Sequence, residues 1–107
     1  MSPASAGAEL RRALRAWFAG LGAPVTFDAV TSRPWASITF SGERHRLTLC
    51  LPGPGAQAAI DSFLDGLGER DFALRGHILA DIAAEGITRE ADGQIRLALE
   101  ALTVEDV

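Results

Sequence analysis

The stretch Trp35–Leu51, WASITFSGERHRLTLCL, decides the fold class. Across Trp35 to Phe40 the residues alternate, with Ala36, Ile38 and Phe40 on one side and Trp35, Ser37 and Thr39 on the other. Beyond the polar break Ser41-Gly42-Glu43, Leu47, Leu49 and Leu51 alternate with Arg46, Thr48 and Cys50. A period of two over both runs, with a short polar break between them, predicts a β-hairpin turning at Ser41–Glu43.

Working outward, Val25 to Val30 also alternates and predicts a separate strand upstream, with Thr31–Pro34 left between the two. Before it, Leu10, Leu14, Trp17, Phe18 and Leu21 recur at helical spacing and predict an amphipathic helix over 8–21, stopped by Gly20, Gly22 and Pro24. Downstream, Pro52-Gly53-Pro54-Gly55 ends the hairpin, because proline lacks the amide a central ladder needs. Ile60, Phe63, Leu64 and Leu67 then mark a second helix over 57–67. The stretch from Leu74 to Arg89 mixes alternating Ile78 and Ile82 with helix-favouring Ala80, Ala83 and Ala84. What makes it a strand is the next segment. Ile95, Leu97, Leu99 and Ala101 alternate behind an Asp92-Gly93 turn, which needs a strand on its other side. The order α-β-β-β-α-β-β predicts a two-layer α+β domain: a mostly antiparallel five-stranded sheet with both helices on one face. Its expected core holds Leu14, Trp17, Phe18, Ile38, Phe40, Leu49, Ile60, Phe63, Leu64, Leu97 and Leu99. Residues 1–7 read as a flexible N-terminal segment and 8–107 as a single domain.

The 107 residues, 48% of them apolar, suffice for one core. Fourteen acidic against ten basic residues give an acidic protein of net charge −4, which works against nucleic acid and anionic membranes as partners. All the basic residues are arginine, so Schiff-base, pyridoxal and P-loop chemistry lack their amine. The single cysteine, Cys50, rules out an internal disulfide, and no leader-like or bilayer-length apolar run stands in the sequence. These features predict a cytoplasmic protein without a cofactor or bound metal.

Few residues point to chemistry. His77, Asp81 and Glu85, spaced by four, are expected to share one face of either a strand or a helix. On a helix they could converge on a metal; on a strand they would spread too far, and the solvated face is the commoner role for such acids. Arg44, His45 and Arg46 read as a solvated, edge-protecting cluster beside the hairpin turn, with His45 as a possible completion of the His77 group. Cys50 reads as a small apolar residue on a strand. The glycine pairs at 53/55 and 66/68 lack the full phosphate-loop pattern, and no serine sits in a nucleophile elbow. Trp35 is expected to face away from the helices, with Cys50, Leu79, and Leu102 or Val104, on a sheet face that a partner would cover.

The element order is similar to that of small acidic secretion chaperones, homodimeric α+β proteins that hold a partner polypeptide, although their terminal helix is missing here. Together these readings favour a noncatalytic binding module acting through protein–protein contacts, with itself as a homodimer or with another protein. The contact candidates are Trp35, Cys50, His77, Asp81 and Glu85. The alternatives are a small enzyme or metal-dependent binder built on His77, Asp81 and Glu85, and an apolar small-ligand carrier.

Overall fold

The computed structural model describes residues 5–106. Ser5 begins the order by capping a helix, α1 (Ala6–Ala19), its hydroxyl accepting from the Ala8 amide at 3.1 Å. Of the segment 1–7 expected to be flexible, residues 1–4 lie outside the described residues, whereas 5–7 form this cap and first turn. There follow β1 (Thr26–Ala36), β2 (Ser41–Leu51), α2 (Ala56–Leu64), a single 3-10 turn at Leu67–Glu69, β3 (His77–Arg89) and β4 (Ile95–Glu105).

The sheet has four strands in the order β1-β2-β4-β3, every neighbour antiparallel, which corrects the expected five. The two predicted strands Val25–Val30 and Trp35–Phe40 are one continuous β1 reaching Ala36, and the hairpin turns at Ser37–Phe40. Proline does not break β1 because β1 is a sheet edge, where a residue without an amide donor leaves no ladder bond unmade. The turn is drawn to Ser37, whose backbone N–H donates to the Phe40 carbonyl at 2.7 Å and whose hydroxyl accepts from the Phe40 N–H at 3.0 Å. Ile38 and Phe40 therefore leave the expected core and stand exposed at the tip. With the five-strand order gone, the likeness to secretion chaperones loses its basis.

The interior lies between the helices and one face of the sheet. Leu47, Leu49 and Leu51 of β2 and Ile95, Leu97, Leu99 and Ala101 of β4 pair in register and meet Leu10, Leu14 and Phe18 of α1 and Ala59, Ile60 and Phe63 of α2. Trp17 and Leu64 are partly buried against this cluster. Phe63 stacks on Phe18 at 4.8 Å and meets Trp17 edge-on at 5.3 Å. The C-terminus of α2 ends under Arg70, whose guanidinium donates to the carbonyls of Phe63, Ser62 and Asp65 and lies 4.5 Å over the Trp17 ring. The free carbonyls of the last turn are thus held by a side chain.

A second clamp joins α1 to the approach of β3. The buried Glu9 carboxylate accepts from the Arg75 amide at 2.7 Å, while Arg12 bridges Glu9 and the Ala73 carbonyl. These donors hold the Glu9 carboxyl below its ordinary range.

Candidate functional site

The register divides the sheet residues cleanly. Phe27, Val30, Leu47, Leu49, Leu97 and Leu99 look toward the helices, and their sequence neighbours look away from them. That helix-free face is built of cross-strand rows. At one end stands Trp35, Gly42, Val104 and Ile78; the next row is Arg33, Arg44, Leu102 and Asp81; then come Thr31, Arg46, Glu100 and Ala83. Beyond Ala29, Thr48, Ala98 and Gly86, the far end is Thr26, Cys50, Arg96 and Thr88.

The middle of the face is charged, and it is also neutralised. Arg44 pairs with Glu100, and Arg46 lies 3.6 Å from Glu100 and 3.9 Å from Glu85. The neighbouring Glu100 raises the Glu85 carboxyl, while Glu85 and Arg44 hold Glu100 low. At the far end Arg96 bridges Asp28 and Glu90. Arg33 and Asp81, at opposite edges of one row, are exposed and have no ion-pair partner among the described residues.

The face is apolar toward the hairpin end. Ile78 is 52% exposed, Leu102 and Val104 are half-buried, and the half-buried Trp35 carries an indole Nε1 that is shielded from solvent with no acceptor among the described residues. Gly42 lies in the Trp35 row by necessity: a Cβ there would sit 1.9 Å from the Thr103 carbonyl oxygen.

The structure separates His77 from Asp81 and Glu85. β3 carries bulges at Ala80 and Glu85, and each extra residue shifts the alternation by one. His77 pairs with Glu105 on the helix side, Asp81 pairs with Leu102 on the open side, and Glu85 bulges toward Arg46 and Glu100. Spacing by four therefore does not mean one face here. Among the described residues no group of three or more histidine, cysteine, aspartate or glutamate side chains is placed to hold a metal. Cys50 is buried, and that burial pushes its thiol up, away from the thiolate a nucleophile needs.

Sequence reading placed His45 beside a turn, but the turn lies upstream and His45 is fully buried in the central strand β2. Its Nδ1 is 2.7 Å from the Ser32 hydroxyl and its Nε2 is 2.9 Å from the Thr103 hydroxyl. Since Thr103 donates onward to the Glu43 carbonyl, the imidazole donates from Nε2 and accepts at Nδ1. Burial holds its pKa low, against the raising effect of Glu43. Gly7 of α1 lies against the pair, where an added Cβ would stand 3.3 Å from Ser32 Oγ. The network ties β1, β2 and β4 together beneath the start of α1, with both ring nitrogens satisfied.

Arg44 and Arg46 were missed as face residues because the misplaced turn made them a solvated cluster beside it. Their alternation with Leu47 and Leu49 was the available signal. One further concavity, a groove of about 400 Å³, lies at the opposite end between the loop before β1 and α2, lined by Leu21, Pro24, Pro52, Pro54 and Ala58.

The fold thus defines a two-layer α+β domain with one sheet face uncovered by its own chain. No protein-family model and no curated protein sequence matches it. A solved structure, a chain of the "Virion of native gene transfer agent (GTA) particle", superposes with a TM-score of 0.62 at 19% identity, over 95% of this chain and 96% of that one. At this identity the likeness is one of fold. No helix among the described residues is long and apolar enough to cross a membrane.

Proposed function

We propose that this chain is a noncatalytic structural module of a virion-like particle, acting through protein–protein contacts. The observation that carries the reading is the match with the gene transfer agent chain, a likeness of fold that takes in nearly all of both chains. The chemistry of the site is in keeping. The one cysteine is buried with its thiol pushed up, and the buried histidine has both nitrogens engaged by hydroxyls of the neighbouring strands. Contacts are made by Trp35, Asp81 and Glu85 on the helix-free face, whereas Cys50 and His77 belong to the packing of the domain. The chain is made in the cytoplasm, needs no cofactor, and its net charge of −4 leaves packaged nucleic acid and membrane to other components.

The test is fractionation of particles from the producing cells on a density gradient, followed by mass spectrometry across the gradient. The chain should travel with nuclease-protected DNA, and deleting its gene should remove intact particles. Intact particles without the chain, formed at normal yield in the deletion strain, would overturn the proposal.

A further inference from the structure

We infer that a second copy of this chain covers the helix-free face, as a pair related by a two-fold axis parallel to the strands. This goes beyond membership of a particle and holds for the isolated protein. Charge is what selects the second copy. From the Trp35 end to the centre, the β1–β2 half of the face carries Arg33, Arg44 and Arg46 and the β4–β3 half carries Glu100, Asp81 and Glu85, while Arg96 at the far end of β4 is neutralised by Asp28 and Glu90. A two-fold along the strands turns the sheet over and exchanges its edges, so the basic half of each copy meets the acidic half of the other.

The same operation keeps the hairpin ends together. Trp35 of one copy then lies over Ile78 of the other, with the two Val104 side chains between, while Arg33 lies over the second copy's Asp81. This occurs twice, and it gives ion-pair partners to the two charged face residues that have none among the described residues. A two-fold perpendicular to the strands would instead lay arginine on arginine and set the Trp35 end against the Cys50 end. The internal pairs Arg44–Glu100 and Arg46–Glu85 leave the centre neutral, so closing the faces strands no central charge.

The area is adequate. Four strands about 4.8 Å apart, each roughly ten residues long at about 3.3 Å per residue, present roughly 600 Å² per copy before side-chain relief. Doubled, this reaches the lower bound of about 1,200 Å² for stable pairs. Sheets packed this way keep their strands aligned within about 30°, in accord with an axis along them.

The experiment is sedimentation equilibrium of the full chain and of Arg33→Glu, Asp81→Arg and the double variant, each checked for folding by circular dichroism. The wild type should be dimeric, each single reversal should raise the dissociation constant about tenfold or more, and the double reversal should restore it to within about threefold. Positions 33 and 81 stand three strand spacings apart, about 14 Å, so restoration requires contact between copies. A wild type monomeric to about 200 µM, a dimer indifferent to the reversals, or folded single variants that the double does not rescue would each overturn the inference. A chain that pairs in solution yet is absent from particles would instead refute the proposed function alone.

Discussion

Replacing Phe63 with alanine is the most direct test of how the helices are held to the sheet. The ring is fully buried, stacked on Phe18, edge-on to Trp17 and 6.4 Å from Phe72, so α1, α2 and the segment before β3 all lean on it. Truncating a buried phenylalanine costs about 3–5 kcal/mol, combining lost transfer energy with an incompletely collapsing cavity. The aromatic pairs at Phe63 push the estimate toward the upper end, since each adds about 0.5–1.5 kcal/mol beyond its area. Against a total stability of about 5–15 kcal/mol, this is a loss of a third or more in most of that range. The assay is urea unfolding followed by the combined fluorescence of Trp17 and Trp35, with the far-ultraviolet circular dichroism as a second probe. The midpoint should fall steeply at an unchanged slope, and Phe63→Leu should recover much of the loss. A cost under about 1 kcal/mol for the alanine variant would mean that the helix layer does not rest on this ring.

Other perturbations probe the remaining joints. Because burial lowers the folded-state pKa of His45 below 6.5, the unfolded chain takes the proton first, and unfolding free energy should decline as pH falls below about 6.5. His45→Gln should flatten this window in pH-dependent urea titrations; an unaltered slope would detach His45 from it. Arg70→Ala leaves three carbonyls at the end of α2 without their charged donor and should cost about 1.5–3 kcal/mol, measured by thermal unfolding. Gly42→Ala forces the β2 and β4 backbones apart and should cost at least about 1–3 kcal/mol, with lost amide-exchange protection at the hairpin end of the sheet; full protection would contradict the close approach to Thr103.

The helices and the central pair of strands could be read from sequence because their signals are strong and local. Leu10, Leu14 and Phe18 recur at one helical spacing, and Leu47, Leu49, Leu97 and Leu99 keep strict alternation. The misreadings came where a local pattern met a non-local fact. Pro34 resembles a break unless β1 is known to be an edge. Ile38 and Phe40 continue an apolar alternation that Ser37 cuts short with one turn. His77, Asp81 and Glu85 lost their shared face to bulges that no pattern in the strand announces. The helix-free position of Trp35 was legible, but the charged rows beside it depended on placing the turn correctly.

β4 is the last strand in the chain yet lies inside the sheet, the sole bridge between the β1–β2 hairpin and β3. During synthesis β2 is complete about 50 residues before β4, which at about 5–20 residues per second leaves an interval of roughly 3–10 s. Through that interval Leu47, Leu49 and the helices have only one another, and β3 has no strand to join. The nascent chain is therefore an open hairpin with its inner edge unpaired, a state that invites the wrong strand. Folding has to be a late, single event, closed by β4 entering between two waiting edges, and a chain cut short before Ile95 would carry both helices and three strands without a sheet that unites them.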